Sequence, residues 1–453
     1  MRRRPASGGR PDPRRAVLAL LLERGDFPTR RFPAAADAAG LEGRDRAFAR
    51  QLLAGAIRHR RTLDAVFRPF CARRRVDEAV LWTLRLALYQ RFWLAQVPPY
   101  AAIAGTLDSG RPFLKKAVGF CNAVLRAVER AVEEAAADSP PAADLLVAGG
   151  RAWRCDRPLF PDPAQDPVGY AAVTLSYPDE LATRWAEAAG LETARARMAC
   201  FDRTPPLGLR VNPLRARPEE VLAELAAAGL ACRPGPVEGT ILLEQPAGDL
   251  RHLPGFAAGL WAVQDLSALE AVRLAAPRPG ERVLDWCAAP GGKALACVEL
   301  AGGDLELHAC DVDHARLARL GPEAARLGHS GRVHEHVIGP DGAGAPEGPW
   351  DLILLDVPCT NTGVLGKRPE ARWRFSSEAL ERTVALQRRI AAAAAAQVGP
   401  ATRLLWSTCS LEPEENRAGA EHLAERTGRR IAAERLVEPA ADRSGGYAAL
   451  LVP

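Results

Sequence analysis

VLDWCAAPGGKALACVEL, residues 283–300, decides how the C-terminal part of the chain folds. An apolar run of strand type stops at a Pro-Gly-Gly turn, and apolar residues then recur at helical spacing, so the stretch predicts strand, tight turn and helix. In a sheet of parallel strands this first turn is where a nucleotide-like ligand lies: glycine admits close backbone approach, and a helix N-terminus favours negative charge. The spacing is not that of the dinucleotide fingerprint GxGxxG. The next strand ends in ACDVD, with Asp311 19 residues past Gly292, where a carboxylate accepts from both hydroxyls of a ribose. A Gly-Gly turn alone is structural more often than not. Turn, following helix and acid together point to a cofactor with a ribose but without a pyrophosphate.

Outward from this stretch, ERVLDWC, LELHACD, RVHEHVI, WDLILLD, TRLLWSTC and GYAALLV alternate with helical segments. That alternation predicts an α/β doubly wound domain over residues 253–453, with a mostly parallel sheet covered on both faces. In DLILLDVPCTNTGVLGKRPEARWRF, residues 351–375, a strand ends at Asp356, Pro358 turns the chain, and Cys359 emerges at the carboxyl edge, where open α/β sheets bind substrate. In WSTCSLEPEEN, residues 406–416, a further strand delivers Cys409 to the same edge. A single cysteine in such a place reads first as a buried structural thiol. Two strand-end thiols beside a strand-end carboxylate reverse those odds. The basic run GKRPEARWR, residues 366–374, reads equally as an RNA clamp with Trp373 stacking a base or as an ordinary exposed loop.

The chain of 453 residues is too long for one ordinary core. Residues 1–13 are Arg, Pro and Gly with little to bury and read as a disordered basic tail; residues 14–135 carry helical periodicity throughout and read as an all-α domain. Residues 136–170 are proline-rich and read as a linker, and residues 171–252 mix two amphipathic helices with the strand-like LGLRVN as a small α+β subdomain. Residues 1–135 hold 26 Lys and Arg against 13 Asp and Glu, while the remainder holds 34 against 42. A basic helical segment joined to an acidic remainder suits a polyanion-docking module attached to an enzyme. The bland alternative is arginine decoration of a helical surface, since the chain has 56 Arg and only 4 Lys. Ten cysteines without a CxxC pair argue against a disulfide framework and a zinc site, and no metal is expected. No apolar stretch approaches the length of a membrane span, so a cytoplasmic protein with no membrane association is expected.

CAAPGGK (287–293), DVPCTNTGV (356–364) and WSTCSLEPEEN (406–416) resemble three signature motifs of the RNA 5-cytosine methyltransferases that use S-adenosylmethionine. DRAFARQLLAGAIRHRRTLD, LRLALYQRFWLAQVPPYAAI and GFCNAVLRAV resemble the RNA-binding domain of the antitermination factor NusB. The pairing is similar to the Sun/Fmu (RsmB-type) small-subunit ribosomal RNA methyltransferases, whose catalytic domain is of the Nop2/Sun type. The resemblance implies a multidomain protein: a NusB-like helical domain, the small α+β subdomain and a Rossmann-like methyltransferase domain. It implies that Cys287, Ala288, Ala289, Pro290, Gly291, Gly292 and Lys293 line the methionine side of S-adenosylmethionine and that Asp311 holds its ribose. Asp356 would lie between cofactor and base, Cys409 would attack C6 of the cytosine, and Cys359 would assist release of the product. The family has a small residue where Val357 stands and Ser-Gly or Ser-Ala where Thr360-Asn361 stand. Its adenine-side acidic motif is blurred here into VIGPDG, with Asp341 the candidate. Ribosomal RNA is the implied partner of a monomeric enzyme. The rival readings are a non-catalytic RNA-binding or antitermination-type factor on a decayed fold, the same chemistry on another RNA, and a nicotinamide-dependent oxidoreductase, which the missing GxGxxG disfavours.

Overall fold

The computed structural model describes residues 11–23, 25, 27–71, 75–244 and 249–453. It forms two compact units, one of residues 1–202 with 368–373 and one of residues 203–367 with 374–453.

In the first unit, helices Pro13–Leu22, Pro28–Ala38, Gly43–Arg58, Arg60–Phe67, Glu78–Trp93, Pro99–Leu114 and Val118–Ala131 surround one apolar core that includes Leu18, Leu52, Leu84, Leu88 and Leu125. Residues 1–10 of the expected basic tail lie outside the described residues. Its last positions are not tail, because the Asp12 carboxylate accepts from the Arg14 and Arg15 amides and Pro13 is the first helical residue. That is a capped helix start, with proline where its missing N–H costs nothing. Gly55 is a contact glycine: a Cβ there would fall 1.9 Å from Tyr89 Cζ.

The segment read as a linker over 136–170 is largely folded. Strands β1 (Val132–Ala135), β2 (Leu145–Ala148) and β3 (Arg151–Cys155) form an antiparallel sheet in the order β1-β3-β2. Gly149 and Gly150, at φ +60° and +78°, make the two-residue turn between β2 and β3, which needs left-handed backbone at both positions. Trp153 on β3 is buried edge-on against Phe92. Helices Pro167–Thr174, Asp179–Ala189 and Leu191–Cys200 also belong to this unit, so the subdomain expected over 171–252 is divided at Asp202.

Residues 368–373 complete the first unit and overturn both readings of the basic loop. Arg372 is fully buried. Its Nη1 donates to the carbonyls of Arg58 (3.2 Å), Leu175 (3.4 Å) and Ser176 (3.0 Å), its Nη2 donates to Phe201 O (3.4 Å), and it lies over the Tyr177 ring. Trp373 Nε1 donates to Ile57 O at 2.8 Å. This arginine joins chain segments through their main-chain acceptors and is not presented to phosphates.

In the second unit, β4 (Leu207–Val211), β5 (Cys232–Pro234), β6 (Thr240–Leu243) and β7 (Trp261–Val263) form an antiparallel sheet, order β5-β6-β4-β7. One face packs Leu209, Val211, Ile241 and Leu243 around buried Trp261 and against Val221 and Leu225 of helix Pro218–Ala227. Strands β8 (Glu281–Asp285), β9 (Leu305–Asp311), β10 (Val333–Val337), β11 (Leu352–Asp356), β12 (Arg403–Thr408), β13 (Arg430–Val437) and β14 (Gly446–Val452) form the large sheet. Its order is β10-β9-β8-β11-β12-β14-β13, parallel from β10 to β12 and antiparallel across β14 and β13. The run Leu352–Leu355 is buried throughout: Leu352 and Leu354 enter one apolar cluster, and Ile353 and Leu355 enter the cluster on the opposite face. This is why a central parallel strand reads as continuously apolar. The chain passes from β8 outward to β9 and β10, then returns to β11 on the other side. The switch point between β8 and β11 therefore opens a crevice at the carboxyl ends of those strands. Among the described residues no helix is long and apolar enough to cross a membrane.

Candidate active site

Strand β8 ends on Asp285, β9 on Asp311, β11 on Asp356, and β12 one residue before Cys409. Between β8 and helix Gly292–Leu300 the chain makes the turn Cys287–Gly291, with Ala289–Pro290 cis and Gly291 at φ +109°. A Cβ at Gly291 would come within 2.1 Å of Leu320, whereas at Gly292 the nearest atom would be Gln264 Nε2 at 4.0 Å. One glycine is packed and the other faces open space at the start of a helix. Asp311 Oδ2 accepts the Ala289 amide (3.1 Å) and Oδ1 the Asp313 amide (2.9 Å), which tie the end of β9 to the turn. Arg316 Nη2 donates to Ala289 O at 2.6 Å.

Lys293, from the first turn of that helix, meets Asp356 Oδ2 at 2.7 Å, while Ser407 Oγ on the neighbouring strand donates to Asp356 Oδ1 at 2.9 Å. Asp356 thus accepts from an ammonium on one oxygen and a hydroxyl on the other. Burial works against the Lys293 charge, but attraction and hydrogen bonding to Asp356 outweigh it and raise the ammonium above the ordinary lysine value. The protonated carboxyl is one that sequence patterns did not single out. Asp285 is fully enclosed, and burial first, then the charge of Asp356, push its pKa up to about 8. The Cys287 thiol is pushed well above its usual value by burial and by Asp285, Asp311 and Asp356, so it stays neutral. The fourth oxygen cluster lies at Glu415, which accepts from the Thr360 amide at 2.8 Å and from Gln387 Nε2 at 3.2 Å; burial raises its pKa.

The two thiols are brought together: Cys359 Sγ and Cys409 Sγ are 3.1 Å apart, and Cys409 Sγ is 3.5 Å from Asn361 Oδ1. Hydrogen bonding with Cys409 and burial hold the Cys359 thiol well above the ordinary thiol range. Lys293 is within electrostatic reach of Cys409. A thiolate at Cys409 would therefore have a thiol donor on one side and an ammonium nearby, the surroundings that activate a cysteine. Asp341, the candidate for the adenine side, lies four residues past the end of β10. It is exposed, and its carboxylate caps its own turn through the Ala343 amide at 3.1 Å.

A support outside the motifs holds the cofactor turn from behind. Arg210 on β4 makes a two-point contact with Glu299 (2.7 and 2.8 Å), donates to Gly292 O at 3.0 Å and meets Gln264. Lys367 Nζ pairs with Asp265 at 2.8 Å. Nothing in the linear sequence links Arg210 to Glu299. The available signal was a charged residue inside the strand pattern LGLRVN, which a buried partner was needed to explain.

Three family models match the chain: the 16S rRNA methyltransferase RsmB/F model over residues 272–447, the NusB family model over 15–130, and the ferredoxin-like domain of RsmF/B-like methyltransferases over 177–249. The chain is 32% identical over 386 residues to the "Probable ribosomal RNA small subunit methyltransferase B" of Synechocystis sp., covering 83% of this chain and 80% of that protein. It is also 32% identical to the ribosomal RNA small subunit methyltransferase B of Xanthomonas campestris pv. campestris, covering 85% and 80%. Among solved structures, PH0851 matches over 99% of this chain and 100% of its own with a TM-score of 0.78 at 22% identity, a likeness of fold. NSun6 from Pyrococcus horikoshii with SFG covers 61% of this chain and 98% of its own, with a TM-score of 0.55 at 20% identity.

Proposed function

The chain belongs to the 16S rRNA methyltransferase RsmB/F family, whose members use S-adenosylmethionine, and on that premise we propose that it forms 5-methylcytosine in small-subunit ribosomal RNA through a covalent cysteine adduct. The observation that carries the reading is the pair of strand-end sulfurs 3.1 Å apart beside the Lys293–Asp356 ion pair.

S-adenosylmethionine fits the donor set. Two strand-end carboxylates, Asp311 and Asp356, stand against one ammonium with the Asp285 carboxyl beside them, an excess of acceptors that suits a ligand carrying a sulfonium and an ammonium. Open space over Gly292 leaves room at the turn, and Asp311 at the end of β9 is the ribose acceptor. Cys287, Ala288, Ala289, Pro290, Gly291, Gly292 and Lys293 form its wall. When bound, the cofactor supplies an electrophilic methyl group.

Cytosine C5 is too weak a nucleophile to take that methyl unaided, so the Cys409 thiolate adds first at C6. The sulfur–carbon bond forms as the C5=C6 electron pair moves into the ring, and Lys293, positioned by Asp356, offers the hydrogen bond that holds the negative charge developing there. The C5 activated in this way would take the methyl group that the bound cofactor supplies. Removal of the C5 proton lets the C6–sulfur bond break and returns the thiolate, with Cys359 as the group placed to help that step. The target base must be unpaired or swung out of its stack. The basic helical segment is the RNA dock, and the enzyme works as a cytoplasmic monomer.

Denaturing gels of each variant with target RNA and S-adenosylmethionine test the assignment. Cys359→Ala is expected to accumulate a slow-migrating protein–RNA adduct, and Cys409→Ala to form neither adduct nor product. The reverse pattern moves the nucleophile to Cys359. Methylation intact in both variants would remove covalent catalysis, and bisulfite mapping that finds the product on no cytosine of the small-subunit RNA would remove the substrate.

A further inference from the structure

The chain has eight histidines, and three of them stand on two neighbouring strands away from the thiol pair. Strands β9 and β10 run parallel with His334 opposite His308 and His336 opposite Cys310. Side chains alternate faces along a strand, so Glu306, His308 and Cys310 share one face of β9, and His334 and His336 share the matching face of β10. The rings are in contact: His308 lies 4.8 Å from His334 and 5.1 Å from His336 between centroids. His308 Nδ1 is 3.0 Å from His336 Nε2, and His308 Nε2 is 2.7 Å from Glu306 Oε1.

From these positions we infer that Glu306, His308 and His334 form a binding site for a divalent transition-metal ion, with His336 holding the other ring nitrogen of His308. One ligand atom from each of the three residues lies within 4.8 Å of the other two. An ion at their centre would need only side-chain rotation to draw them to bonding distance. Imidazole with carboxylate is the donor set of zinc, cobalt, nickel and copper ions, whereas calcium and magnesium prefer all-oxygen shells. The surroundings suit a bound ion. Trp350 packs edge-on against His308, and Arg282, stacked over Trp350, donates to Glu306 Oε2 at 3.2 Å, leaving Oε1 for the metal side. His308 is mostly buried and His334 is exposed, which gives the ion an entry path. Coordination replaces the Glu306–His308 hydrogen bond, and a proton held there goes to solvent. The expectation of no metal rested on cysteine spacing, which does not test a histidine-carboxylate set built across two strands.

The consequence is mechanical. Strand β10 is an edge of the large sheet, and an ion bonded to both strands would pin that edge to β9 through its side chains as well as its main chain.

The full chain titrated with Co(II) tests the site, because thiolate ligands give an intense near-ultraviolet charge-transfer band that imidazole and carboxylate ligands do not. The wild type is expected to bind one equivalent with visible bands and no thiolate band, and Zn(II) should displace it. His334→Ala removes an exposed side chain and should weaken Co(II) binding by at least about tenfold with the circular dichroism spectrum unchanged. His308→Ala should abolish it, and Zn(II) should raise the melting temperature of the wild type and not of His334→Ala. No Co(II) uptake, uptake unchanged in His334→Ala, or uptake carrying the thiolate band would each overturn the site, the first leaving a hydrogen-bonded His-His-Glu chain in its place.

Discussion

Arg372 in the first unit and Lys293 in the second are both buried cations, and their partners differ in kind. Arg372 is satisfied by neutral carbonyls and an aromatic face, and burial lowers its pKa. Lys293 is satisfied by a carboxylate, with the Asp285 carboxyl within electrostatic reach. A cation among carbonyls organises main chain and has nothing to exchange a proton with. A cation among crowded carboxylates sets which of them is ionised, so its loss should appear in rate and pH dependence before it appears in stability.

The largest effect expected is on the first unit. Arg372→Ala leaves several buried carbonyls without donors and should cost about 3 to 5 kcal/mol in the unfolding of that unit, by denaturant titration followed through tryptophan fluorescence. Arg372→Lys should recover little, since an ammonium cannot span the same set of acceptors. Next, Lys293→Met should lower kcat by roughly 10²- to 10³-fold, the range for losing one preorganised donor, with stability changed by about 1 kcal/mol or less. If Arg372→Ala loses rate and not stability, or Lys293→Met the reverse, the distinction between the two cations collapses. Asp311→Ala sharpens the contrast within the second unit: S-adenosylmethionine affinity by calorimetry should fall by about 2 to 4 kcal/mol while the fold survives.

The smallest effect is a slope. Asp285 keeps its proton in the folded protein up to about pH 8, while in the unfolded chain it gives the proton up near the ordinary carboxylate value. Between those limits the folded state binds more protons, so the Asp285 contribution makes stability fall as pH rises through the window. Asp285→Asn should remove it. The difference in unfolding free energy, wild type minus variant, should decline from pH 5 to pH 8, and a flat difference would mean that Asp285 is ionised in the fold.

The same two cations mark what the sequence made legible. Asp356, Cys359 and Cys409 lie at or just past strand ends, which are readable because an apolar run stops where a turn begins, and Lys293 follows the glycine turn after β8. Their convergence follows from parallel topology alone. Arg372 was not readable: in GKRPEARWR it looks like any solvated arginine, and only the carbonyls of Arg58, Leu175, Ser176 and Phe201, far away in sequence, make its burial tolerable. Arg210 and Glu299 failed for the same reason, and Asp285 because its protonation depends on carboxylates from other strands. Strand β13 was missed because RIAAERLV carries charges through an edge strand with little buried surface. The β2–β3 hairpin was missed although its signal was local: Gly149-Gly150 between LLVA and RAWRC is a two-residue turn, hidden by the prolines around it.

The first unit borrows residues 368–373, and this has a consequence for biosynthesis. As the nascent chain leaves the ribosome, every helix up to Cys200 is available long before Arg372 is made. During that interval the carbonyls of Arg58, Ser176 and Phe201 wait without their guanidinium, and the whole stretch from Arg203 to Lys367 must be translated before the helical unit can close. Contacts between segments so distant in sequence are slow to form and are held off by loop-closure entropy. The N-terminal unit, first to be synthesised, is therefore completed only after most of the second unit has also been made.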